Sequence, residues 1–257
     1  MKQPVYRAVR SFLSQYLIPP TCVGCGLLLP IDAPCAPFCP DCRAEWEREK
    51  LSACPLCERA VIDCQCLPER MEEAGISALI ARVPYRSGGH SIPDRVLFSL
   101  KEERRRQVVD FLASELLPPI NLALREREIS VEDALLTALP RRGSAIRKHG
   151  FDQAVELCRA LSALSGLPYE RLIYRRGFTA EEKTLSKGER ERNSRRAFYT
   201  KAPSDVLEGK TVFLVDDLVT TGSGLSVGAE LMYALGADDV VAVVIGRTAS
   251  LLTVKGT

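Results

Sequence analysis

No apolar run in this 257-residue chain approaches the ~20 residues that a membrane-spanning helix needs. Near the N-terminus, Lys2, Arg7 and Arg10 are scattered among apolar residues without a continuous hydrophobic stretch behind them, which makes a poor signal peptide. A cytoplasmic protein is therefore expected. Aromatic residues are scarce, at 6% of the chain. Those in its middle (Phe151, Tyr169, Tyr174, Phe178, Phe198 and Tyr199) are not interleaved into a base-stacking platform. Charge of one sign is lacking overall, with a net +2, and contents of 46% hydrophobic and 26% charged residues are ordinary for a globular protein. The length allows one large domain or two smaller ones with a sizeable core.

Cysteine is abundant. Nine of the ten fall between Cys22 and Cys66. Eight form close pairs: Cys22 with Cys25, Cys39 with Cys42, Cys54 with Cys57, and Cys64 with Cys66. Paired thiolates on a tight turn grip one tetrahedral ion, and two such turns close a four-sulfur site. The simplest assignment is sequential, with Cys22, Cys25, Cys39 and Cys42 on one ion and Cys54, Cys57, Cys64 and Cys66 on a second. Cys35 is spare and able to replace Cys39. Zinc in a structural role is the expectation, since four thiolates leave no open position for a substrate. An iron–sulfur cluster and disulfides are the other readings, the latter disfavoured without a secretion signal. The segment is too short and too poor in aromatics to build a core alone, so metal should largely fold it.

Before the cysteines, Val5, Val9, Phe12, Leu13, Tyr16 and Leu17 recur at helical spacing and predict a short amphipathic helix. Beyond them the pattern becomes that of an α/β domain. Ile76 to Tyr85 reads as a strand, Ile92 to Lys101 and Val108 to Leu124 as helices, and the charged run from Lys101 to Arg106 as an exposed face. Leu135 to Leu139 is a second strand, ending in Pro140-Arg141-Arg142-Gly143, a tip suited to an anion. A helix follows from about Phe151 to Ser165, with Cys158 as a core residue. Leu172 to Tyr174 is a third strand candidate, Gly177 to Asn193 a long polar loop, and Val240 to Ile245 the last buried strand. Alternating apolar strands and helices argue for a parallel sheet covered on both faces, with ligands bound beyond the C-terminal strand ends. Net charge is uneven, −2 over residues 1–137, +7 over 138–200 and −3 over 201–257, so the middle segment is where anionic partners belong.

The most informative stretch is Val212 to Gly224, an apolar strand followed by Asp216 and Asp217 and then by Thr220, Thr221, Gly222, Ser223 and Gly224. Small and hydroxylated residues before a helix let backbone N–H groups approach a phosphate. The stretch resembles the binding motif for phosphoribosyl pyrophosphate (PRPP) of type I phosphoribosyltransferases. The resemblance implies that the two aspartates hold the ribose hydroxyls and that Thr220 to Gly224 holds the 5′-phosphate. It places Arg141 and Arg142 near the pyrophosphate, and makes Arg175, Arg176, Lys183 and Arg190 candidates for a basic hood. Gly224 stands where that family usually has Thr or Ser.

The whole chain resembles the ComF family, the ComFC competence proteins and their GntX relatives. The resemblance rests on the four cysteine pairs, Leu100-Lys101, Gly150-Phe151-x-Gln153-Ala154, the run from Leu185 to Asn193 with Arg190 and Asn193, Ala197-Phe198, and Asp216 to Gly222. His149, Asp152 and Lys183 depart from the family's usual Arg, Asn and Gln. This resemblance implies an N-terminal helix (1–17), a double zinc ribbon (18–70) and a phosphoribosyltransferase-like domain (71–257). It implies PRPP binding with Mg²⁺ held mostly by the ligand's oxygens and water, and a role in DNA uptake and transformation through single-stranded DNA or uptake proteins. The alternative is an active phosphoribosyltransferase displacing pyrophosphate from PRPP. No general base or nucleophile substrate can be assigned from the sequence.

Overall fold

The computed structural model describes residues 20–30, 37–86, 88, 91–102, 106–176 and 196–248. The expected N-terminal helix and the whole polar loop, with Lys183 and Arg190, lie outside them, as does Cys35. The elements are α1 (Pro40–Lys50), α2 (Glu69–Glu73), β1 (Ala78–Ile80), β2 (Val83–Tyr85), α3 (Ile92–Glu102), α4 (Arg106–Glu126), β3 (Ala134–Ala138), α5 (Gly143–His149), α6 (Gln153–Ser165), β4 (Tyr174–Arg175), β5 (Phe198–Tyr199), β6 (Thr211–Val219), α7 (Ser223–Ala234) and β7 (Asp239–Thr248).

Five of the strands form one sheet in the order β1–β7–β6–β3, with β2 also pairing with β7, and every pairing is parallel. Its apolar runs are buried on both faces. Phe213 and Val215 of β6 join Val241, Val243 and Ile245 of β7 in a core with α3, α4 and α6. The alternate residues Val212 and Leu214, with Val240, Ala242 and Val244, face α2 and α7. This period of two, with both sets apolar, is what a strand covered on both faces requires. The expected doubly covered parallel α/β sheet is thus the observed one.

Three local expectations are corrected. Ile76 to Tyr85 is not one strand: the chain breaks at Ala81–Arg82 into β1 and β2, both on β7. Leu172 to Tyr174 does not enter the main sheet. The outer edge of β3 is instead engaged by residues 168–170, with the Leu136 N–H on the Pro168 carbonyl and the Glu170 N–H on the Leu136 carbonyl. Tyr174–Arg175 pairs antiparallel with Phe198–Tyr199 in a separate two-stranded sheet. Finally, Asp216 and Asp217 do not end their strand. β6 continues to Val219 because β7 runs on beside it, pairing Asp216 with Val244 and Val219 with Arg247. What stops is β3, whose last residue, Ala138, pairs with Val215. The apolar run marks where one neighbour of β6 ends.

The cysteine-rich module is built onto this sheet. Trp46, the chain's only tryptophan, is fully buried between Phe38 and Phe111 of α4, with ring centroids 5.8 and 5.3 Å away. Cys22, Leu29, Phe38, Cys42 and Trp46 belong to the same continuous core as α3, α4 and α6. Below these rings, Glu115 of α4 accepts from Lys50 at 2.7 Å and from Trp46 Nε1 at 3.3 Å. Arg43 lies 3.4 Å and Arg82 3.7 Å from the same carboxylate.

Candidate functional site

Beyond the end of β3, the two carboxylates of β6 face different surroundings. Asp217 is buried, its Oδ2 taken by Lys101 Nζ of α3 at 3.2 Å and by Gln153 Nε2 of α6 at 3.1 Å. Asp216 is half-buried and accepts the Asp217 backbone N–H at 2.8 Å. Burial, and then the charge of Asp217, push the Asp216 carboxyl well above the usual carboxylate range, with Lys101 opposing. Lys101 is therefore part of the site and not of an exposed face.

The strand tip of β3 brings its arginines to the same edge. The Arg141 backbone N–H bonds Asp152 at 2.8 Å, and its guanidinium donates to the Lys101 carbonyl at 2.8 Å. Asp152 also caps α6 through Ala154 N–H at 3.2 Å, and burial raises its pKa against these donors. Arg142 is the N-cap residue of α5 and is half-buried. His149, the last residue of α5, places Nδ1 3.4 Å from Glu102. Arg175 and Arg176 stack on Phe198 and Tyr199 of the small sheet.

After β6, Thr220 and Thr221 are exposed and α7 begins at Ser223. Gly222 caps α7 with a φ of +75°, and a Cβ there would lie 2.7 Å from Met71 Cγ of α2. Only glycine meets both conditions without strain. At Gly224 a Cβ would lie 2.9 Å from Leu139 Cδ2, a packing reason for the absence of Thr or Ser. Thr221 Oγ1 and Ser223 Oγ are 3.0 Å apart, and Arg70 of α2 donates to Ser223 Oγ at 3.1 Å. The result is a set of hydroxyls, backbone donors and a guanidinium at a helix N-terminus, next to a carboxylate pair. Such an arrangement suits a phosphate ester whose sugar hydroxyls donate to the carboxylates.

Eight cysteines form two groups, Cys22, Cys25, Cys39 and Cys42, and Cys54, Cys57, Cys64 and Cys66, with sulfurs within 4.8 Å of one another in each. This is the sequential assignment, with Cys39 in the first group. The Cys25–Cys39 and Cys57–Cys64 sulfurs are 3.7 and 3.6 Å apart. A tetrahedron with metal–sulfur bonds of about 2.3 Å has edges of about 3.8 Å, so both groups could hold a metal ion. The two turns match: Gly26 and Glu58, each following the second cysteine of its pair, have φ of +78° and +59°. Gly24 is needed for close approach, since a Cβ there would lie 2.6 Å from Cys42 Sγ. Burial pushes the Cys22 and Cys54 thiols up, but backbone donors outweigh it and bring both to about 7. Burial and the neighbouring thiols push Cys66 up to about 12. Cys158 is fully buried in the core and its thiol is pushed up by that burial, which makes it unsuited to nucleophilic attack.

The second group is tied to the sheet. Arg247, buried near the end of β7, donates to Cys64 Sγ at 3.0 Å and to the Cys66 carbonyl at 3.3 Å. The next residue, Thr248, donates to the Thr220 carbonyl of the loop at 3.4 Å. A cavity of about 650 Å³ lies away from the aspartates, between this group and edge strand β1, lined by Arg59, Asp63, Gln65, Ser77 and Arg127 among others.

Of the residues that complete the site, Lys101 is expected from the sequence as a matching position and part of an exposed face, Gln153 as a matching position, and Arg70, Glu115 and Arg247 have no expected role. The one available signal for Lys101 and Gln153 was the resemblance of their motifs to those of the ComF family; the other three had none.

No family model matches the chain. A DNA utilization protein YhgH of Salmonella typhimurium is 31% identical over 146 residues, 56% of this chain and 63% of the relative. Its namesake in Escherichia coli K12 is 29% identical over 143 residues, 55% and 61% of the two chains. The matched region thus spans less than two thirds of these relatives. Among solved structures, an adenine phosphoribosyltransferase shares 17% identity over 53% of this chain and 70% of its own, with a TM-score of 0.33. A hypoxanthine phosphoribosyl transferase of Trypanosoma cruzi shares 17% over 58% and 69%, with a TM-score of 0.37. Scores this low carry no argument about the site.

Proposed function

We propose that the chain is a ComF-like protein whose α/β domain binds PRPP or a related phosphoribosyl ligand and serves DNA uptake or utilisation in the cytoplasm. The observation that carries this reading is the Asp216–Asp217 pair, with Asp217 held by Lys101 and Gln153, beside a glycine- and hydroxyl-rich helix N-terminus. In it, Asp216 and Asp217 receive the ribose hydroxyls, Thr220 to Gly224 receive the 5′-phosphate, and Arg141 and Arg142 lie toward the pyrophosphate. Mg²⁺, held mostly by ligand oxygens and water, would moderate repulsion between carboxylates and diphosphate. The name borne by the relatives supports a DNA-linked role, and single-stranded DNA or uptake proteins are the partners that the ComF resemblance suggests. Zinc is the ion proposed for both cysteine groups, in keeping with an all-thiolate tetrahedral donor set. The boundaries proposed are 1–17, 18–70 and 71–257.

The test is a thermal-shift titration with PRPP and Mg²⁺. The reading expects the melting temperature to rise, and Asp216→Ala with Asp217→Ala to abolish the rise. No stabilisation at millimolar ligand overturns it.

A further inference from the structure

Among the described residues, the phosphate-type loop takes a guanidinium from the segment that links the cysteine groups to the sheet. Arg70 lies four residues beyond Cys66, on α2. Its guanidinium Nη1 donates to Ser223 Oγ at 3.1 Å, and Ser223 Oγ lies 3.0 Å from Thr221 Oγ1. One cation and two hydroxyls therefore converge on the N-terminus of α7, a helix of 12 residues.

The position of Arg70 is fixed on both sides. Ser226 Oγ bridges the two segments, its one proton shared between the Arg70 carbonyl at 2.9 Å and the Gly222 carbonyl at 3.0 Å. Met71, fully buried, packs where a Cβ on Gly222 would be. The arginine is thus held at the loop by its own backbone and its neighbour's packing. Position 224 of the loop is a glycine and offers no hydroxyl, and a Cβ there would lie 2.9 Å from Leu139 Cδ2.

We infer that Arg70 is a ligand of the 5′-phosphate, supplying from the end of the cysteine-rich module a charge-assisted contact in place of the hydroxyl missing at Gly224. The inference rests on the phosphoribosyl reading of the site. A guanidinium matches two oxygens of a phosphate with parallel donors, and its charge is permanent. A phosphate arriving at α7 would meet backbone N–H groups, the hydroxyls of Thr221 and Ser223, and Arg70.

The experiment is calorimetric titration of the full metal-loaded chain with ribose 5-phosphate, with PRPP plus Mg²⁺, and with Mg²⁺-pyrophosphate. Arg70→Gln is expected to weaken both ribose esters by roughly tenfold or more, the loss of one charge-assisted bond. It should leave pyrophosphate binding near the parent value. Arg70→Lys should recover part of the loss and, keeping the charge and the stem, guards against a Gln variant that fails to fold. A parent that binds both esters and an Arg70→Gln that binds them equally well removes the role of Arg70 and leaves the site intact. Equal losses for all three ligands show a distorted loop and overturn the inference as well. So does Arg70→Lys behaving no better than Arg70→Gln. A parent that binds neither ester removes the site reading and this inference with it.

Discussion

Glu115 offers the sharpest test of how the cysteine-rich module is held. Its carboxylate is 9% exposed and sits among three cations, two of them nearly as enclosed: Lys50 at 12% and Arg82 at 13%. Burial lowers the Arg82 pKa and the charge of Glu115 opposes this. Glu115→Gln removes one anion and leaves Lys50, Arg82 and Arg43 with Glu47 as a remaining acid, 2.7 Å from Lys50 and 2.8 Å from Arg43. Breaking a buried pair costs about 3–5 kcal/mol. The lower end, about 3 kcal/mol, applies here because Glu47 persists and Arg43 is 42% exposed, where solvent screens the interaction. At roughly 2–4 °C per kcal/mol for a chain of this size, the melting temperature should fall by about 6–12 °C. Trp46 donates to the same carboxylate and is the chain's only tryptophan, so its emission in a urea titration reports this interface directly. A cycle with Lys50→Met should show the two changes to be non-additive by more than about 0.5 kcal/mol. A total loss below about 1 kcal/mol, or additivity within that margin, refutes the view that a desolvated ion cluster docks the module.

The other predictions concern the acid pair, the loop and the metal. The Asp216 carboxyl is raised in the folded state by burial and by Asp217. The folded protein then holds a proton that the unfolded chain gives up, and stability falls as pH rises from about 4, the ordinary aspartate value, toward the folded pKa. Asp216→Asn should flatten that decline in a plot of melting temperature against pH; parallel curves for variant and parent would refute the assignment. Gly222→Ala meets both a positive φ and the Met71 side chain, and should cost about 2–4 kcal/mol by denaturant titration together with the ligand response. A variant within about 0.5 kcal/mol of the parent would show that α2 does not press on the loop. Elemental analysis of purified protein should find two equivalents of zinc, one lost in Cys22→Ser and the other in Cys54→Ser. Less than one equivalent in the parent, or iron, contradicts the zinc proposal.

What the sequence made legible was local chemistry at fixed spacing. The cysteine pairs read as two four-sulfur groups because one or two residues between thiols already dictate a turn, and the structure gathers the eight into those two groups. The run Val212 to Val215 was read as a buried strand because both of its faces are apolar. The ending of β6 is not legible, since the end of its apolar run marks where β3 stops and not where β6, still paired with β7, stops. Nor were the contacts that complete the site. Gln153 meets Asp217 across 64 positions and Arg70 meets Ser223 across 153, distances at which no periodicity operates.

Those long-range contacts change how the module should be understood. A metal knuckle that only stabilised its own segment would need no buried partner on the sheet. Here the first group shares a core with α4 through Trp46, and Lys50 reaches Glu115. The second receives Arg247 from β7, one residue before Thr248 bonds the loop. The chain leaving it carries Met71 and Arg70 directly onto Gly222 and Ser223. The loop is therefore bounded on one side by strand and helix and on the other by residues that the cysteine groups hold in place. Loosening the second group should reach the loop by two short routes, through Arg247 and through α2, before it disturbs the rest of the sheet.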